Sequence, residues 1–500
     1  MVQKINQGSI PLSLDQEQAL NNVAVILERA GINLGSGELS SQNSKYKSVY
    51  ALIGRAGSGK TALLSRITEK MSAIGVEIIS GDFEVRKNKN KRSLSILAPT
   101  NKAANILRMR GVPATTIHRI LYTPVYDPDY ERIVEWLIGE QDEKPILDGL
   151  SENSLKRAWD FYRSNKSIPG ALAAAGLKGS DFISGWKRRE EPLDVGFIDE
   201  SSMLDDDQLN DLKEIFSTLI LFGDPAQLAP ISQSGRMVFD KLDSGCKSIL
   251  SQIHRQSSDN PILKLSNFLS DPEINFSDFE MLIRKIANED ERIVWAQRVN
   301  VDLMSRSPVL VWRNATRIRL INAFRSVYNA PNDRLMEGEP LICDGLELPL
   351  KHRKKRIDLE ARGLTKGANV IYLGPGKKAG FSRLFVVGSE SPILSAASIV
   401  KIELPNEDEP FIPFAAKMGA IFLHGSAVTI HKAQGSQWEH VQVFGADIYA
   451  AAQTNRVEAG LPLWKRLAYV AITRAQEKLY WVTRSRLSKP SGPLDISDLK

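Results

Sequence analysis

The amino-acid sequence predicts an α/β protein whose strands form parallel sheets, and two observations support this prediction. Short apolar segments of strand length alternate along the chain with segments of helical periodicity. A glycine-rich turn joins the first such strand to a helix predicted from Lys60 to about Ile74, and an earlier helix is predicted for Ser13–Arg29. The predicted strands are Tyr46–Ile53, Val76–Ile79, Leu94–Ala98, Val195–Ile198, Leu219–Phe222, Val309–Trp312, Val428–Ile430, His440–Phe444 and Lys478–Val482.

Length and composition indicate a globular chain of several domains. The chain has 500 residues with 42% hydrophobic content, which exceeds one ordinary core, so we expect about two to four domains. The formal net charge of +6 is a small excess for this length, so charge alone favours a polyanionic partner only weakly. Because no stretch approaches about 20 uninterrupted apolar residues, no membrane span is expected.

Cysteine usage and the first residues of the chain favour a cytoplasmic protein. Cys246 and Cys343 lie far apart and outside any Cys-x-x-Cys pattern, so neither a disulfide framework nor a zinc site is expected. Two reduced thiols are typical of a reducing compartment. The segment Met1–Leu20 lacks the apolar region that a signal peptide requires, and none is expected.

Two segments interrupt the alternating pattern and are interpreted as insertions. Leu121–Pro192 is polar, carries aromatic residues and is partly helical, which predicts a mostly helical insert. Leu364–Gly425 has short β-like runs with many glycines and prolines, which predicts a small barrel. Two basic runs, Arg86–Arg92 and Lys351–Arg356, leave two interpretations open, a solvated loop or a contact with nucleic-acid phosphates.

The strongest functional signal is the segment Gly54–Thr61, which matches the pattern GxxxxGK[ST] between a predicted strand and a predicted helix. Glycines allow backbone N–H groups to turn towards phosphate oxygens, and the helix N-terminus adds a favourable dipole. Lys60 can then reach the β- and γ-phosphates, and the Thr61 hydroxyl can bind Mg²⁺. The predicted nucleotide-binding residues of this loop are Gly54, Gly57, Ser58, Gly59, Lys60 and Thr61.

Two further segments follow predicted strands and carry the chemistry that an ATPase needs. Asp199 and Glu200 come directly after the buried strand Val195–Ile198. In a P-loop ATPase the first carboxylate holds Mg²⁺ and the second orients or deprotonates the attacking water. Gln227, within Gly223–Leu228, is a candidate sensor of the γ-phosphate.

Together these three segments resemble motifs I, II and III of the superfamily 1 helicases, and further segments match in that family's order. Leu12–Gln16 resembles the Q motif, which implies that Gln16 reads the adenine. Gln252–Arg255 resembles motif IV and Tyr469–Ala475 resembles motif VI, which implies that Arg255 and Arg474 are arginine fingers. Matches to motif Ia, to the element after it and to motif V imply that Pro99, Thr100, Asn101, His118, Thr429, His431 and Lys432 contact the nucleic-acid strand.

The resemblance implies two RecA-like P-loop domains that carry ATP in the cleft between them, a mostly helical insert and a small SH3-like β-barrel insert. The first RecA-like domain is predicted for residues 1–120 and 193–256 around the insert at 121–192, and the second for 257–345 and 426–500 around the barrel at 346–425. The sizes of the two inserts favour the RecD/Dda branch of the family. That branch implies movement from 5′ to 3′ on single-stranded DNA and at duplex junctions, with ATP and Mg²⁺ as cofactors.

Several points stay open at the level of the sequence. The chain is expected to act as a monomer, with replication or repair proteins as partners. A nucleic-acid-stimulated ATPase switch that remodels complexes without processive unwinding is the first alternative. A P-loop kinase is the second, although the two arginine elements and the second α/β region argue against it. No residue pattern distinguishes DNA from RNA, and no strand-separating pin can be located within the helical insert.

Overall fold

The structure is a computed structural model, and it describes residues 12–40, 47–80, 91–126, 128–146, 150–166, 168–177, 183–230, 236–251, 260–347, 358–389, 391–402, 419–458 and 460–499. The chain divides into two compact units. One comprises residues 1–121, 188–260 and 457–460, and the other comprises 122–187, 261–456 and 461–500. Each unit contains a parallel sheet, as the sequence predicts.

The first part of the chain forms four strands of the first sheet and several of the helices that pack on it. Helix α1 buries Ala19, Val23 and Leu27 on one face, because residues four apart lie above one another on a helix. These side chains join one apolar core with residues of the next helix and of the central strands. The elements are α1 (Leu14–Arg29), β1 (Ser48–Gly54), α2 (Lys60–Ala73), β2 (Glu77–Ile78), β3 (Ser93–Ala98), α3 (Asn101–Met109), β4 (Ala114–Thr116) and α4 (Ile117–Leu121).

The predicted insert at 121–192 contains three helices with a core of their own, which confirms its mostly helical character within the described residues. Trp136 and Trp159 stack with ring centroids 4.9 Å apart, and apolar residues of all three helices form one cluster. A two-stranded sheet was not predicted. The elements are β5 (Tyr122–Tyr126), α5 (Pro128–Ile138), α6 (Glu152–Asn165), α7 (Ile168–Ala174) and β6 (Ile183–Arg188), with β5 paired to β6.

The chain then completes the first sheet through β7 (Leu193–Ile198), α8 (Asp206–Ile215), β8 (Phe216–Gly223) and β9 (Lys247–Leu250). The strand order is β2-β3-β7-β8-β1-β9, with β4 beside β3, and every pair is parallel. Because the strands run in one direction, their carboxyl ends share one edge of the sheet. Residues that follow β1, β3, β7 and β8 are therefore brought to the same edge.

The second sheet is likewise parallel, and a closed five-stranded barrel interrupts it. The segment before the barrel contains α9 (Pro261–Phe268), α10 (Phe276–Glu289), β10 (Ile293–Ala296), α11 (Val301–Met304), β11 (Val309–Val311) and α12 (Asn314–Val327). The barrel strands are β12 (Pro340–Glu347), β13 (Asn369–Pro375), β14 (Phe381–Val386), β15 (Ile393–Lys401) and β16 (Gly419–His424). The predicted barrel boundary at 346 falls inside β12, whose register shifts between Cys343 and Gly345 and hides its strand pattern. Whether the barrel is SH3-like stays a prediction.

After the barrel the chain returns to the second sheet, whose order is β10-β21-β18-β11-β17 with parallel pairs throughout. The elements of this last part are β17 (Ala427–Thr429), β18 (Trp438–Phe444), α13 (Gly445–Ala452), β19 (Val457–Glu458), β20 (Leu461–Pro462), α14 (Leu463–Ile472) and β21 (Ala475–Val482). None of the described helices is long and apolar enough to cross a membrane.

A buried polar network lies where the barrel joins the second sheet. The Glu339 carboxylate is fully buried, and its Oε2 lies 2.9 Å from Nε2 of His424 and 3.2 Å from Nε of Arg325. The Ser426 hydroxyl lies 3.0 Å from Nδ1 of the same histidine. Burial alone would raise the pKa of Glu339, but the His424 hydrogen bond and the Arg325 charge lower it below its usual value. The network thus links α12, both ends of the barrel and the start of β17.

The backbone of the second unit passes close to the buried ring of Trp481 at Gly445, and a substitution there would test how tightly this core is packed. An added Cβ would lie 2.7 Å from Cε2 of Trp481, a fully buried ring whose Nε1 donates to Glu280 at 2.9 Å. We expect Gly445→Ala to lower the free energy of unfolding by about 1–3 kcal/mol, as overpacking of a core does. Urea denaturation followed by tryptophan fluorescence would measure the loss. Gly492→Ala, which meets no atom within 4 Å, is the matched control and should leave the midpoint unchanged.

Candidate functional site

The predicted phosphate loop lies between β1 and α2, at the carboxyl edge of the first sheet. Gly57 and Gly59 have φ angles of +88° and +84°, a left-handed conformation that a side chain would strain. Gly54 is required for a different reason, because an added Cβ would lie 3.0 Å from Cβ of Leu250 on the neighbouring strand. Helix α2 begins at Lys60, and its N-cap residue Gly59 has no side chain that could accept from the first-turn N–H groups, which lack acceptors within the helix.

The polar groups of this loop are held ready for an anion. Lys60 Nζ donates to the carbonyl oxygens of Gly54 at 2.5 Å and Arg55 at 2.9 Å, so the ammonium lies over the loop. The Ser58 hydroxyl is buried and has no hydrogen-bond partner in the described part of the chain. Gln16 is buried, and its Nε2 donates to the Ser58 carbonyl at 3.0 Å. The side chain of the predicted Q-motif glutamine thus contacts the backbone of the phosphate loop.

The two predicted carboxylates follow β7 at the same edge. The backbone N–H of Asp199 donates to the carbonyl of Leu97 at 2.9 Å, which fixes the turn beyond the strand. Glu200 adopts a left-handed φ of +52°, and its Oε2 accepts a hydrogen bond from Nε2 of Gln227 at 2.8 Å. The Oε1 of Gln227 accepts from the Ser202 hydroxyl at 3.1 Å, so both ends of this buried amide are used. Gln227 therefore orients the Glu200 carboxylate, and sequence reasoning did not identify this contact.

Asp199 and Thr61 offer the oxygen donors that a magnesium ion prefers. Burial and the neighbouring charge of Glu200 raise the pKa of Asp199 to about 7, against the opposing charges of Lys60 and Arg110. A divalent cation beside the carboxylate would stabilise its ionised form. Magnesium sites in phosphate-transfer proteins use one or two protein ligands and complete their shell with water and phosphate. The residues at this edge therefore fit the ion.

The residues of the first unit that are predicted to contact nucleic acid lie near the ends of β3 and β4. Thr100 caps α3, because its hydroxyl oxygen accepts from the backbone N–H of Ala103 at 3.1 Å. This structural role was not predicted. Pro99 and Asn101 flank the cap and are partly exposed, and His118 is exposed on α4. The structure thus brings all four residues to the segments that leave the carboxyl edge of this sheet.

In the second unit, the motif V residues leave the end of β17. Val311 pairs with Thr429, so β11 and β17 end side by side, and Lys432 is exposed. Burial and the charge of Arg456 lower the pKa of His431, which favours a neutral imidazole. These residues share one edge of the second sheet.

Asp447 is a residue of this edge that sequence reasoning missed. Its buried carboxylate accepts hydrogen bonds from the backbone N–H groups of Trp312 at 2.8 Å and Arg313 at 2.7 Å. It also accepts from Nε of Arg313 at 2.6 Å and from the hydroxyl of Thr316 at 2.9 Å. Asp447 therefore fixes the turn after β11. A single aspartate on a short helix gave no signal in the sequence.

Arg474 lies at the end of α14 and is 5% exposed. Its guanidinium donates to the carbonyls of Val470 at 3.0 Å and Ser436 at 3.2 Å, and to the Thr473 hydroxyl at 3.2 Å. All three acceptors are neutral, so among the described residues no carboxylate hydrogen bond offsets this buried charge. The other predicted finger, Arg255, lies outside the described residues, as do the basic run Lys351–Arg356 and most of Arg86–Arg92.

Two family models match the chain. A model described as an AAA domain matches residues 41–285, which contain the phosphate loop, both carboxylates and Gln227. A model described as a UvrD-like helicase C-terminal domain matches residues 424–482, which contain motif V and Arg474. The fold and the site define a P-loop ATPase of the helicase type. With the ordered motifs, these two matches identify the chain as an ATP-hydrolysing helicase of superfamily 1.

Solved Pif1 helicases cover nearly the same length of chain at low identity. Bacteroides Pif1 bound to single-stranded DNA is 14% identical, with 95% of this chain and 92% of that chain covered and a TM-score of 0.47. Pif1 from Candida albicans is 15% identical, with 95% and 96% covered and a TM-score of 0.42. Likeness at this level adds nothing to the assignment. No match was found among curated proteins.

Proposed function

We propose that this protein uses ATP hydrolysis to move along single-stranded DNA from 5′ to 3′ and to separate the strands of a duplex ahead of it. The observation that supports it best is the chain of contacts from Ser202 through Gln227 to Glu200, beside the phosphate loop. A carboxylate held in this way suits the activation of water, which hydrolysis requires and which transfer to another acceptor does not.

The residues of the first unit would bind and cleave the nucleotide. Lys60 exchanges its two carbonyl acceptors for oxygens of the β- and γ-phosphates, and the Ser58 hydroxyl gains a partner. Glu200 accepts a proton from the attacking water, and Gln227 keeps its carboxylate in place. Mg²⁺, held by Thr61 and Asp199, would supply positive charge at the β- and γ-phosphate oxygens. Gln16 would join the adenine to the loop.

Loss of the general base should be measurable without loss of binding. We expect Glu200→Gln to reduce the hydrolysis rate by at least about a hundredfold, since general base catalysis contributes about 10²–10⁴. The glutamine can still accept the Gln227 hydrogen bond, so the geometry of the site is kept. Single-turnover hydrolysis and binding of a fluorescent ATP analogue would separate the two effects. Glu214→Gln, at an exposed ion pair with Arg188, is the control, and equal rates in both variants would contradict the role.

Binding of the nucleic-acid strand would use the residues at the carboxyl edge of each sheet. Backbone groups and short polar side chains at Pro99–Asn101 and at Thr429–Lys432 suit phosphate contacts, which position a strand without reading its sequence. Arg474 would meet the γ-phosphate, so that hydrolysis is linked to a change in the grip on the strand. Alternating grip in the two units then gives directed movement.

Steady-state ATP hydrolysis without nucleic acid, with single-stranded DNA and with RNA of matched sequence tests the proposal. Strong stimulation by DNA, followed by unwinding of 5′-tailed but not 3′-tailed duplexes, is the expected result. Stimulation without unwinding of either duplex would instead favour an ATPase switch that remodels complexes. The absence of stimulation by either polymer would overturn a strand-coupled motor.

A further inference from the structure

The barrel of the second unit carries a cavity of about 410 Å³ that the proposed ATPase and strand-binding residues do not use. It lies between the β13–β14 hairpin and the segment that precedes β12. Its walls combine basic side chains with aromatic rings, and the members that matter are Arg334, Tyr372, Lys377, Lys378 and Phe381. A volume of this size falls within the range of about 300–1,000 Å³ that small-ligand pockets occupy.

Backbone hydrogen bonds hold the hairpin that presents the lysines. The N–H of Gly376 donates to the carbonyl of Phe381 at 2.7 Å, and the N–H of Phe381 donates to the carbonyl of Lys378 at 3.0 Å. Gly380 adopts a left-handed φ of +74°, which closes the turn. The opposite wall is anchored as well, because the carbonyl of Arg334 accepts from the buried Arg325 at 2.7 Å. The positive groups therefore project from a fixed backbone.

The charges on this cavity are not neutralised by the described part of the chain. The side chains of Arg334, Lys377 and Lys378 are exposed and form no ion pair or hydrogen bond there. Asp333 is the acidic residue of the lining, so positive charge is in excess. Excess positive charge on a concave surface attracts a polyanion, and the attraction is strongest when phosphates replace the released counterions.

The aromatic rings give the cavity a second kind of contact. Tyr372 and Phe381 line it beside the apolar side chains of Leu335 and Val400. Bases of a single strand stack on such rings without sequence preference, while cationic side chains follow the backbone. A peptide with acidic side chains would satisfy the cations but would leave the aromatic wall without a planar partner.

We infer that this cavity binds one nucleotide unit of a nucleic-acid strand, with its phosphate at Arg334, Lys377 and Lys378 and its base against Tyr372 and Phe381. The inference rests on the proposed function only in that the protein must bind nucleic acid. The barrel then adds a contact outside the two sheet edges and lengthens the bound segment of strand.

The test is the affinity of Lys377→Ala/Lys378→Ala for a fluorescent single-stranded DNA, measured by anisotropy over a range of salt concentrations without ATP. Single-strand contacts each contribute about 0.7 to the slope of log affinity against log salt, so we expect the slope to fall by about 1.4. Affinity at low salt should fall at least about tenfold. Lys366→Ala/Arg383→Ala removes the same charge from exposed positions of the barrel outside the cavity, and it should keep the wild-type slope.

The outcomes separate the inference from the function on which it rests. Wild-type affinity and slope in the lysine variant, with DNA-stimulated hydrolysis intact, would overturn the cavity alone. An equal loss in both double variants would show diffuse electrostatics and would also overturn it. Failure of the wild-type protein to bind DNA or to be stimulated by it would overturn the proposed function as well.

Two further measurements keep the ligand chemistry and the folding of the variant under control. An oligonucleotide with abasic positions should bind more weakly than the intact strand, and equal binding would overturn the aromatic contact. A polyglutamate peptide that displaces the strand from the wild type but not from the lysine variant would identify an acidic protein segment and overturn a nucleic-acid site. Lys377→Gln/Lys378→Gln, which removes both charges but keeps most of each side chain, should reproduce the loss if the alanine variant unfolds at a lower temperature than the wild type.

Discussion

Replacement of Lys60 by alanine is expected to reduce ATP hydrolysis by about a thousandfold, while binding of single-stranded DNA stays near the wild-type level. The ammonium lies over the phosphate loop and is the charged donor placed to follow negative charge as it develops on the γ-phosphate. Removal of one such preorganised donor costs about 10²–10³ in rate, and a full positive charge lies at the upper end. Steady-state hydrolysis at saturating ATP would measure the loss.

The control for this variant is Lys47→Ala, which removes an exposed lysine of the same unit whose ammonium donates to the carbonyl of Lys213. It should hydrolyse ATP at the wild-type rate. Turnover in Lys60→Ala within a few-fold of the wild type would contradict the assignment of the phosphate site. DNA binding lost in parallel with hydrolysis would instead indicate damage to the fold.

Arg474→Ala should bind ATP and DNA but hydrolyse ATP about a thousandfold more slowly, since an arginine finger contributes about 10³ or more to phosphoryl transfer. The guanidinium is buried among neutral acceptors, so a nucleotide phosphate is the counter-charge that the proposal assigns to it. Arg474→Lys should recover only part of the rate, because an ammonium keeps the charge but lacks the planar fork.

The arginine prediction needs a stability control, because Arg474→Ala leaves the carbonyls of Val470 and Ser436 without this donor. Thermal melting of both Arg474 variants would show whether the unit remains folded. Arg306→Ala, an exposed arginine of the same unit, should leave hydrolysis unchanged. A folded Arg474→Ala with normal turnover would remove this arginine from the mechanism.

The parallel sheets could be predicted from the sequence because several of their strands are continuous apolar runs, although the short strands β4, β9 and β10 were not predicted. β3 and β7 are buried along their whole length, so every position carries the signal. Strand β12 and the pair β5 and β6 were missed, since polar residues, glycine and proline interrupt them. Strand propensity depends on burial and on packing against cross-strand neighbours, so strands that are interrupted in this way leave a weaker local pattern.

The candidate site also has features that could be predicted from the sequence and features that could not. The loop Gly54–Thr61 was predictable because phosphate binding dictates both residue type and spacing over a short segment. The bridge from Gln227 to Glu200 and the hold of Asp447 on Trp312 join residues that are far apart in sequence. Such contacts depend on strand order, which the local pattern does not reveal. Thr100 lies in a motif that was predicted to bind nucleic acid, but its hydroxyl also caps a helix, and the sequence did not reveal this second role.

The polar network at Glu339 makes the barrel a poor candidate for removal as a cassette. Excision of residues 339–424 would delete the Glu339 carboxylate that faces Arg325 together with its His424 partner, and would leave a buried guanidinium without its counter-charge. An uncompensated buried charge of this kind costs about 3–5 kcal/mol. A shortened protein meant to isolate the motor would therefore need Arg325 replaced by an apolar residue. Chimeras that exchange barrels between relatives should take the glutamate, the histidine and this arginine together.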